Sequence, residues 1–191
     1  MKISKMILDY VLAFCCLVIL IVPLFLLFIL TSLDTGKNGI FVQKRIGKDG
    51  KSFYLYKLRT MKGSYASSIT TSKMHITSLG KFLRKYKLDE LPQLINIIKG
   101  DMSWVGPRPD ISGYADKLTG EDRIILSVRP GITGPAQLKY RNEEKIISQV
   151  EDPEEYNDRV LWKDKVEINK EYIKNWSLSG DIKYLFKTFF S

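Results

Sequence analysis

The chain has 191 residues, 45% of them hydrophobic, enough for one folded unit with a real core plus appendages. Its single histidine, His75, and two cysteines, Cys15 and Cys16, leave no material for a histidine-based triad or a Cys/His zinc site. The net charge of +9 is uneven, since residues 1–110 hold 17 Lys and Arg against 7 Asp and Glu and residues 111–191 hold 13 against 14. A basic first half suits an anionic membrane surface, phosphorylated substrates or nucleic acid, but no nucleic-acid module accompanies the charge, so no nucleic-acid partner is expected.

From Tyr10 to Leu33 there is no charged residue. At roughly 1.5 Å per residue such a run can cross a bilayer core of about 30 Å. It is longer than an ordinary signal-peptide core and no small-x-small cleavage site follows it, so it is expected to stay attached. Pro23 leaves the carbonyl of Ile19 without its helical partner. Lys2 and Lys5 precede the run while Lys37, Lys44 and Arg45 follow it. Positive charge at both ends fits a re-entrant helix-break-helix over 1–36 that enters and leaves on the cytosolic face, with a proline-kinked single span as the alternative. Cys15 and Cys16 read as small lipid-facing hydrophobes, and Asp9 as a charge that caps or snorkels.

From Ile40 the pattern changes. The segments GIFVQKRIG and KSFYLYKLRTM are β-branched and aromatic and flank Lys48-Asp49-Gly50, which predicts an antiparallel hairpin. Gly50-Lys51-Ser52 imitates the end of a Walker A loop, but Arg45 stands where that motif needs its first glycine. Period two puts Lys57 and Arg59 on one strand face, either solvated or aimed at one pocket. Gly63 to Ser78 is polar and aperiodic, as a surface loop or a lid would be.

A helix opening at Ser78 carries Leu79, Phe82, Leu83 and Tyr86 on one stripe, facing core or membrane, with Lys81, Arg84, Lys85 and Lys87 elsewhere. Pro92 should break it at the adjacent acids Asp89 and Glu90. A second helix is expected with Asp89 as its N-cap, a stripe of Leu91, Leu94, Ile95 and Ile98, and a stop at Gly100. The helix end and the nearby cations should hold both carboxylates charged, as a nucleophile or metal ligand requires. Two surface acids paired to lysines are the plainer alternative. Downstream, prolines on both sides of Arg108 present its guanidinium rigidly, either for bidentate phosphate binding or for pairing with an acid.

Val128 to Gln137, with Arg129 near its start, reads as a Gly/Pro-rich loop against the pocket. Two mixed-charge helices divided near Asp152-Pro153 should follow as packing elements. Residues 179–191 place Ile182, Leu185, Phe186 and Phe189 on one helical face, as an interfacial helix or a docked terminal helix would.

The motifs KLRTM, LDELPQL, GDMSWVGPRP and RPGITG, in this order behind a proline-broken hydrophobic segment, closely resemble the bacterial sugar transferases called small monotopic phosphoglycosyl transferases. The likeness covers nearly the whole chain. It implies an α+β fold: a re-entrant membrane hairpin over 1–36, then a catalytic domain over 37–191 with interfacial helices and a small antiparallel sheet around a cytosolic-face active site. The implied reaction moves a sugar 1-phosphate from a UDP-sugar donor to a polyprenyl phosphate acceptor, commonly undecaprenyl phosphate, releases UMP and begins glycan assembly. Asp89 would form the covalent phosphosugar intermediate, and Glu90 would assist. Mg²⁺ would sit with Asp89 and Glu90, a hard ion among carboxylate and phosphate oxygens. Lys57, Arg59, Arg84, Arg108, Arg129, Thr133 and Gln137 would bind phosphate or substrate. The implied partners are the two substrates and the lipid bilayer, at the bacterial inner membrane; no oligomeric state is implied. A UDP-releasing glycosyltransferase would commonly carry Asp-x-Asp, and no two aspartates here are two residues apart. A non-enzymatic protein holding anionic lipid is the other alternative.

The chain departs from the family pattern at three places. It has Val22-Pro23 where Ser-Pro is usual, so Pro23 lacks a serine to satisfy the freed backbone. GPAQLKYRN stands where many relatives read GWAQVNGRN, which bears on sugar specificity. Arg45-Ile46-Gly47 replaces a common Arg-Pro-Gly.

Overall fold

The computed structural model describes residues 3–63 and 75–190. Most of the polar loop expected over 63–78 lies outside the described residues. Helix α1 spans Ile3–Thr35 and continues through Pro23. The predicted break is therefore a single helix: proline removes one hydrogen bond, and the flanking turns of a long apolar helix carry the backbone across it. One stripe of α1 (Lys5, Asp9, Ala13, then Thr31 and Thr35) is buried. Leu12, Cys16, Leu17 and Leu20 lean on the core, while Val18, Ile19, Ile21, Val22, Phe25, Leu26, Ile29 and Leu30 are exposed.

The hairpin forms as its sequence predicts, with β1 (Ile40–Ile46) antiparallel to β2 (Ser52–Leu58) and Phe41 opposite Lys57. Asp49 closes the turn at φ 58°, a left-handed conformation that Asp tolerates better than most residues. Helix α2 (Ser78–Lys85) is N-capped by Thr77, whose hydroxyl accepts from the Gly80 N–H at 2.8 Å. Helix α3 (Gln93–Lys99) stops at Gly100, where φ is 82°. Asp89 is not its N-cap. The acids sit in a separate 3₁₀ turn, Leu88–Glu90, and Pro92 holds the N-cap position without a side-chain bond.

The stripe predicted on α3 is also displaced. Leu94 and Ile97 are core, with Ile95 and Ile98 outside, and Asn96 is fully buried. Asn96 completes the open edge of β2: its amide donates to Tyr54 O at 2.7 Å and its Oδ1 accepts from Tyr56 N at 3.1 Å. Polar Asn96 thus substitutes for a missing neighbouring strand.

A second sheet replaces part of the loop expected around residue 131. Strands β3 (Ser103–Val105) and β4 (Gly131–Thr133) pair in parallel, Ser103 opposite Gly131. A Cβ on Gly131 would lie 2.1 Å from Gly106 N, so only glycine allows this approach. The two helices expected in the following region are several shorter pieces: α4 (Pro135–Lys139), α5 (Glu143–Ile147), α6 (Pro153–Tyr156) and, across a π turn, α7 (Trp162–Lys174). Helix α8 (Leu178–Phe190) closes the chain. The core gathers Ala13, Leu55, Leu94, Ile97, Met102, Trp104, Val105 and Tyr172 from α1, β2, α3, β3 and α7.

Candidate active site

β2, the Leu88–Glu90 turn and the loop after β3 meet at the acidic pair. Lys87 enters the turn with φ 58°, uncommon for a residue with a side chain, and Asp89 and Glu90 turn inward, each only 8% exposed. Lys57, near the end of β2, donates to Glu90 Oε1 at 2.8 Å, and Arg108 Nη1 stands 3.8 Å from the same oxygen. Burial pushes the Glu90 carboxyl upward, but Lys57, Arg108 and Lys87 outweigh it and take its pKa down to about 2. Burial lowers Lys57, against the pull of Glu90.

Asp89 differs. Burial raises its pKa and the neighbouring Glu90 adds to the rise, against Lys57, Arg84 and Lys87. The two neighbours therefore shift in opposite directions: Glu90 is lowered by the cations that face it, whereas burial leaves Asp89 raised even though Lys57 also acts on it. Among the described residues nothing donates a hydrogen bond to the Asp89 carboxylate. A buried carboxylate without donors has room to bond to an incoming electrophile or a cation.

Arg84, on α2, lies close enough to bear on Asp89 and is steadied by Thr60 Oγ1 at 3.0 Å. Arg108 is held from behind. Gly131 N donates to Pro107 O at 2.8 Å, Ile46 N to Asp110 O at 2.8 Å, and Arg45 Nη1 to Pro109 O at 3.3 Å. Its own side chain is 46% exposed, open to a ligand. The loop around Arg108 is thus braced, and its guanidinium faces Glu90, the acid that the alternative reading expected.

Four other expected binders stand apart from the acids. Arg59 turns to the carbonyls of Asn38, at 2.7 Å, and Ile40, because β2 ends at Leu58 and the alternation that would align it with Lys57 ends there. Arg129 donates to Tyr10 Oη at 3.0 Å beside Gly100, at the far end of α3 from the acids, where it braces α1. Thr133 Oγ1 pairs with Thr188 Oγ1 at 2.6 Å and ties β4 to α8. Gln137 donates to Gly106 O at 3.1 Å and so supports the base of the Arg108 loop.

Sequence reasoning passed over a buried polar seam. Lys5, expected as a solvated flank, donates to Asp181 Oδ2 at 2.5 Å and to Val105 O at 2.9 Å. Tyr172 and Trp176 also donate to Asp181, at 2.7 and 2.9 Å. Asp9, expected at a solvated edge, is 1% exposed and accepts from Trp104 N at 3.2 Å. Lys5 and Asp181 are 176 residues apart in the chain and Asp9 and Trp104 are 95 apart, separations that periodicity cannot register.

For a divalent cation the donor set is small, and among the described residues there is no group of three His, Cys, Asp or Glu. Mg²⁺ commonly takes one or two carboxylates and completes its shell with water and substrate phosphate, which Asp89 fits. Glu90 Oε1 is already engaged by Lys57.

Comparison with known proteins identifies the family. A family model described as bacterial sugar transferase matches residues 1–191. The uncharacterized sugar transferase EpsL of Bacillus subtilis is 37% identical over 155 residues, covering 80% of this chain and 69% of that protein. Exopolysaccharide production protein ExoY of Sinorhizobium fredii is 34% identical, covering 97% of this chain and 84% of ExoY. The UDP-glucose:undecaprenyl-phosphate glucose-1-phosphate transferase of Escherichia coli is 35% identical over 95% of this chain, which spans 38% of that longer protein. With the match running end to end, this chain belongs to the bacterial sugar transferase family.

Proposed function

We propose that the chain transfers a sugar 1-phosphate from a UDP-sugar to a polyprenyl phosphate such as undecaprenyl phosphate, releases UMP, and proceeds through a covalent phosphosugar on Asp89. The observation that carries this is the contrast within the acidic pair: Glu90 is locked by Lys57, whereas Asp89 is buried with no donor to its carboxylate among the described residues. Relatives named undecaprenyl-phosphate galactose phosphotransferase and UDP-glucose:undecaprenyl-phosphate glucose-1-phosphate transferase support the donor and acceptor classes.

In the first step an Asp89 oxygen bonds to the phosphorus bearing the sugar. The bond from that phosphorus to the bridging oxygen breaks, and UMP leaves with the electron pair. In the second step an oxygen of the polyprenyl phosphate attacks the same phosphorus, and Asp89 leaves as a carboxylate. Arg108 and Arg84 offset the repulsion between an anionic nucleophile and an anionic phosphate, and Lys57 keeps Glu90 oriented beside them. Mg²⁺ held by Asp89 would supply further charge neutralisation at the diphosphate when bound.

The membrane placement follows the same reading. The start of α1 is tied to α8 through Lys5–Asp181 and its end turns into β1, where Ser32 Oγ accepts from Gly39 N, while apolar side chains from Ile3 to Leu33 are exposed along it. These contacts support both ends of α1 lying at the cytosolic face of the bacterial inner membrane, with Pro23 as the point where the otherwise continuous helix would bend to re-enter. The test is incubation with a panel of UDP-sugars and polyprenyl phosphate, following UMP and the mass of Asp89-containing peptides. UMP with a phosphosugar adduct is expected, and Asp89→Asn is expected to lose both while still binding membranes. UDP as the nucleotide product, or wild-type turnover by Asp89→Asn, removes the proposal.

A further inference from the structure

Helix α2 runs directly into the reactive turn and presents two aromatic side chains to the outside. Phe82 is 52% and Tyr86 55% exposed with ring centroids 4.9 Å apart, whereas Leu83 beside them is fully buried. This orientation is fixed. A Cβ on Gly80 would lie 2.2 Å from the Thr60 carbonyl oxygen, Thr77 N donates to that oxygen at 3.1 Å, and Arg84 Nε donates to Thr60 Oγ1. Lys87, at φ 58°, then turns the chain so that Asp89 faces inward three residues after Tyr86.

Lys81, Lys85 and Lys87 are all exposed on or just after α2, with Lys85 Nζ 5.3 Å from the Tyr86 centroid. Rings of this size leave water favourably when covered. The lysines ask for an anion at the same place. A ligand with an apolar chain and a terminal phosphate meets both demands. Contact with bulk bilayer is already provided by the long exposed face of α1, whereas the aromatic pair is continuous with the reactive turn.

We infer that Phe82 and Tyr86 seat the first isoprene units of the polyprenyl phosphate acceptor, with Lys85 and Lys87 meeting its phosphate beside Asp89. The inference rests on the reaction proposed above. It is tested on the full chain in phosphatidylcholine/phosphatidylglycerol vesicles with undecaprenyl phosphate, comparing Phe82→Ser/Tyr86→Ser with Phe82→Leu/Tyr86→Phe. The serine pair is expected to raise KM for undecaprenyl phosphate about tenfold, equivalent to ~1.4 kcal/mol, and the conservative pair to restore it. UDP-sugar KM and the acceptor-free burst of UMP should be the same in both. Loss of flotation with acceptor-free vesicles would assign the rings to bilayer anchoring and overturn the inference. An unchanged acceptor KM, or an equal fall in both half-reactions, would overturn it as well. UDP in place of UMP from the unaltered chain would sink the reaction itself, and the inference with it.

Discussion

Asp89 and Glu90 are neighbours in the chain with different surroundings. Glu90 meets Lys57 and Arg108 and is held near pKa 2, so it stays ionised across the working range and acts as a fixed negative charge. A third carboxylate, Asp110, lies just behind Arg108. Burial pushes its pKa up to about 7 despite Arg45, Arg108 and Lys165, and no hydrogen-bond donor reaches its carboxylate among the described residues. Between the unfolded carboxylate value of about 3.9 and 7, the native chain binds more protons at Asp110 than the unfolded chain does. Stability should therefore fall as pH rises through that window, the cost being absent below it and complete above it. Asp110→Asn is expected to be more stable than the parent at pH 8, by on the order of 1 kcal/mol after solvent screening, with the gap closing towards pH 4. Thermal unfolding in detergent at the two pH values checks this; a gap of equal size at both removes the assignment.

At the scale of elements, α2 leads into the Leu88–Glu90 turn proposed as reactive, and Gly80 is where it touches Thr60. Gly80→Ala places a Cβ against backbone rather than against a side chain that can swing away. A loss of about 2–3 kcal/mol is expected, as for overpacking at a rigid contact, together with reduced transfer because the turn after α2 shifts. Urea unfolding and turnover measured on the same preparation test it, and unaltered stability would mean that α2 is not seated by this contact. Which elements were legible in sequence follows from how local their causes are. The hairpin was, since strand alternation and the Lys48-Asp49-Gly50 turn lie within one short segment. The parallel pairing of Ser103–Val105 with Gly131–Thr133 was not, since three-residue strands joined across so long a connection leave no periodic signal. The α3 stripe was misplaced because Asn96, polar by composition, is buried to complete the edge of β2. The acidic pair was legible through its cations, but the division of labour within it depended on Lys57 and Arg108 both reaching Glu90.

Across the whole molecule, the Lys5–Asp181 pair ties the start of α1 to α8 and bears on the re-entrant course proposed above. Both partners are nearly inaccessible, with side-chain exposures of 6% and 2%, and Tyr172 and Trp176 complete the bonding of Asp181. Separating a buried pair costs about 3–5 kcal/mol, because it strands a charge in the interior. A straight crossing of the bilayer by α1 would carry Lys5 to the far side from Asp181 and incur that cost. It would also expose the Asp9–Trp104 contacts. The proposed re-entrant course would keep both seams closed and offer the exposed apolar side chains of α1 to lipid. In a background with Cys15 and Cys16 replaced by serine, Ser4→Cys and Lys37→Cys should both react with an impermeant maleimide from the cytosolic side and from no other. Lys5→Met is expected to lower the melting temperature, while Lys5→Met/Asp181→Leu recovers part of the loss by removing the stranded charge. Labelling of positions 4 and 37 from opposite sides would make α1 a kinked span and leave the Lys5–Asp181 contact without a role in topology.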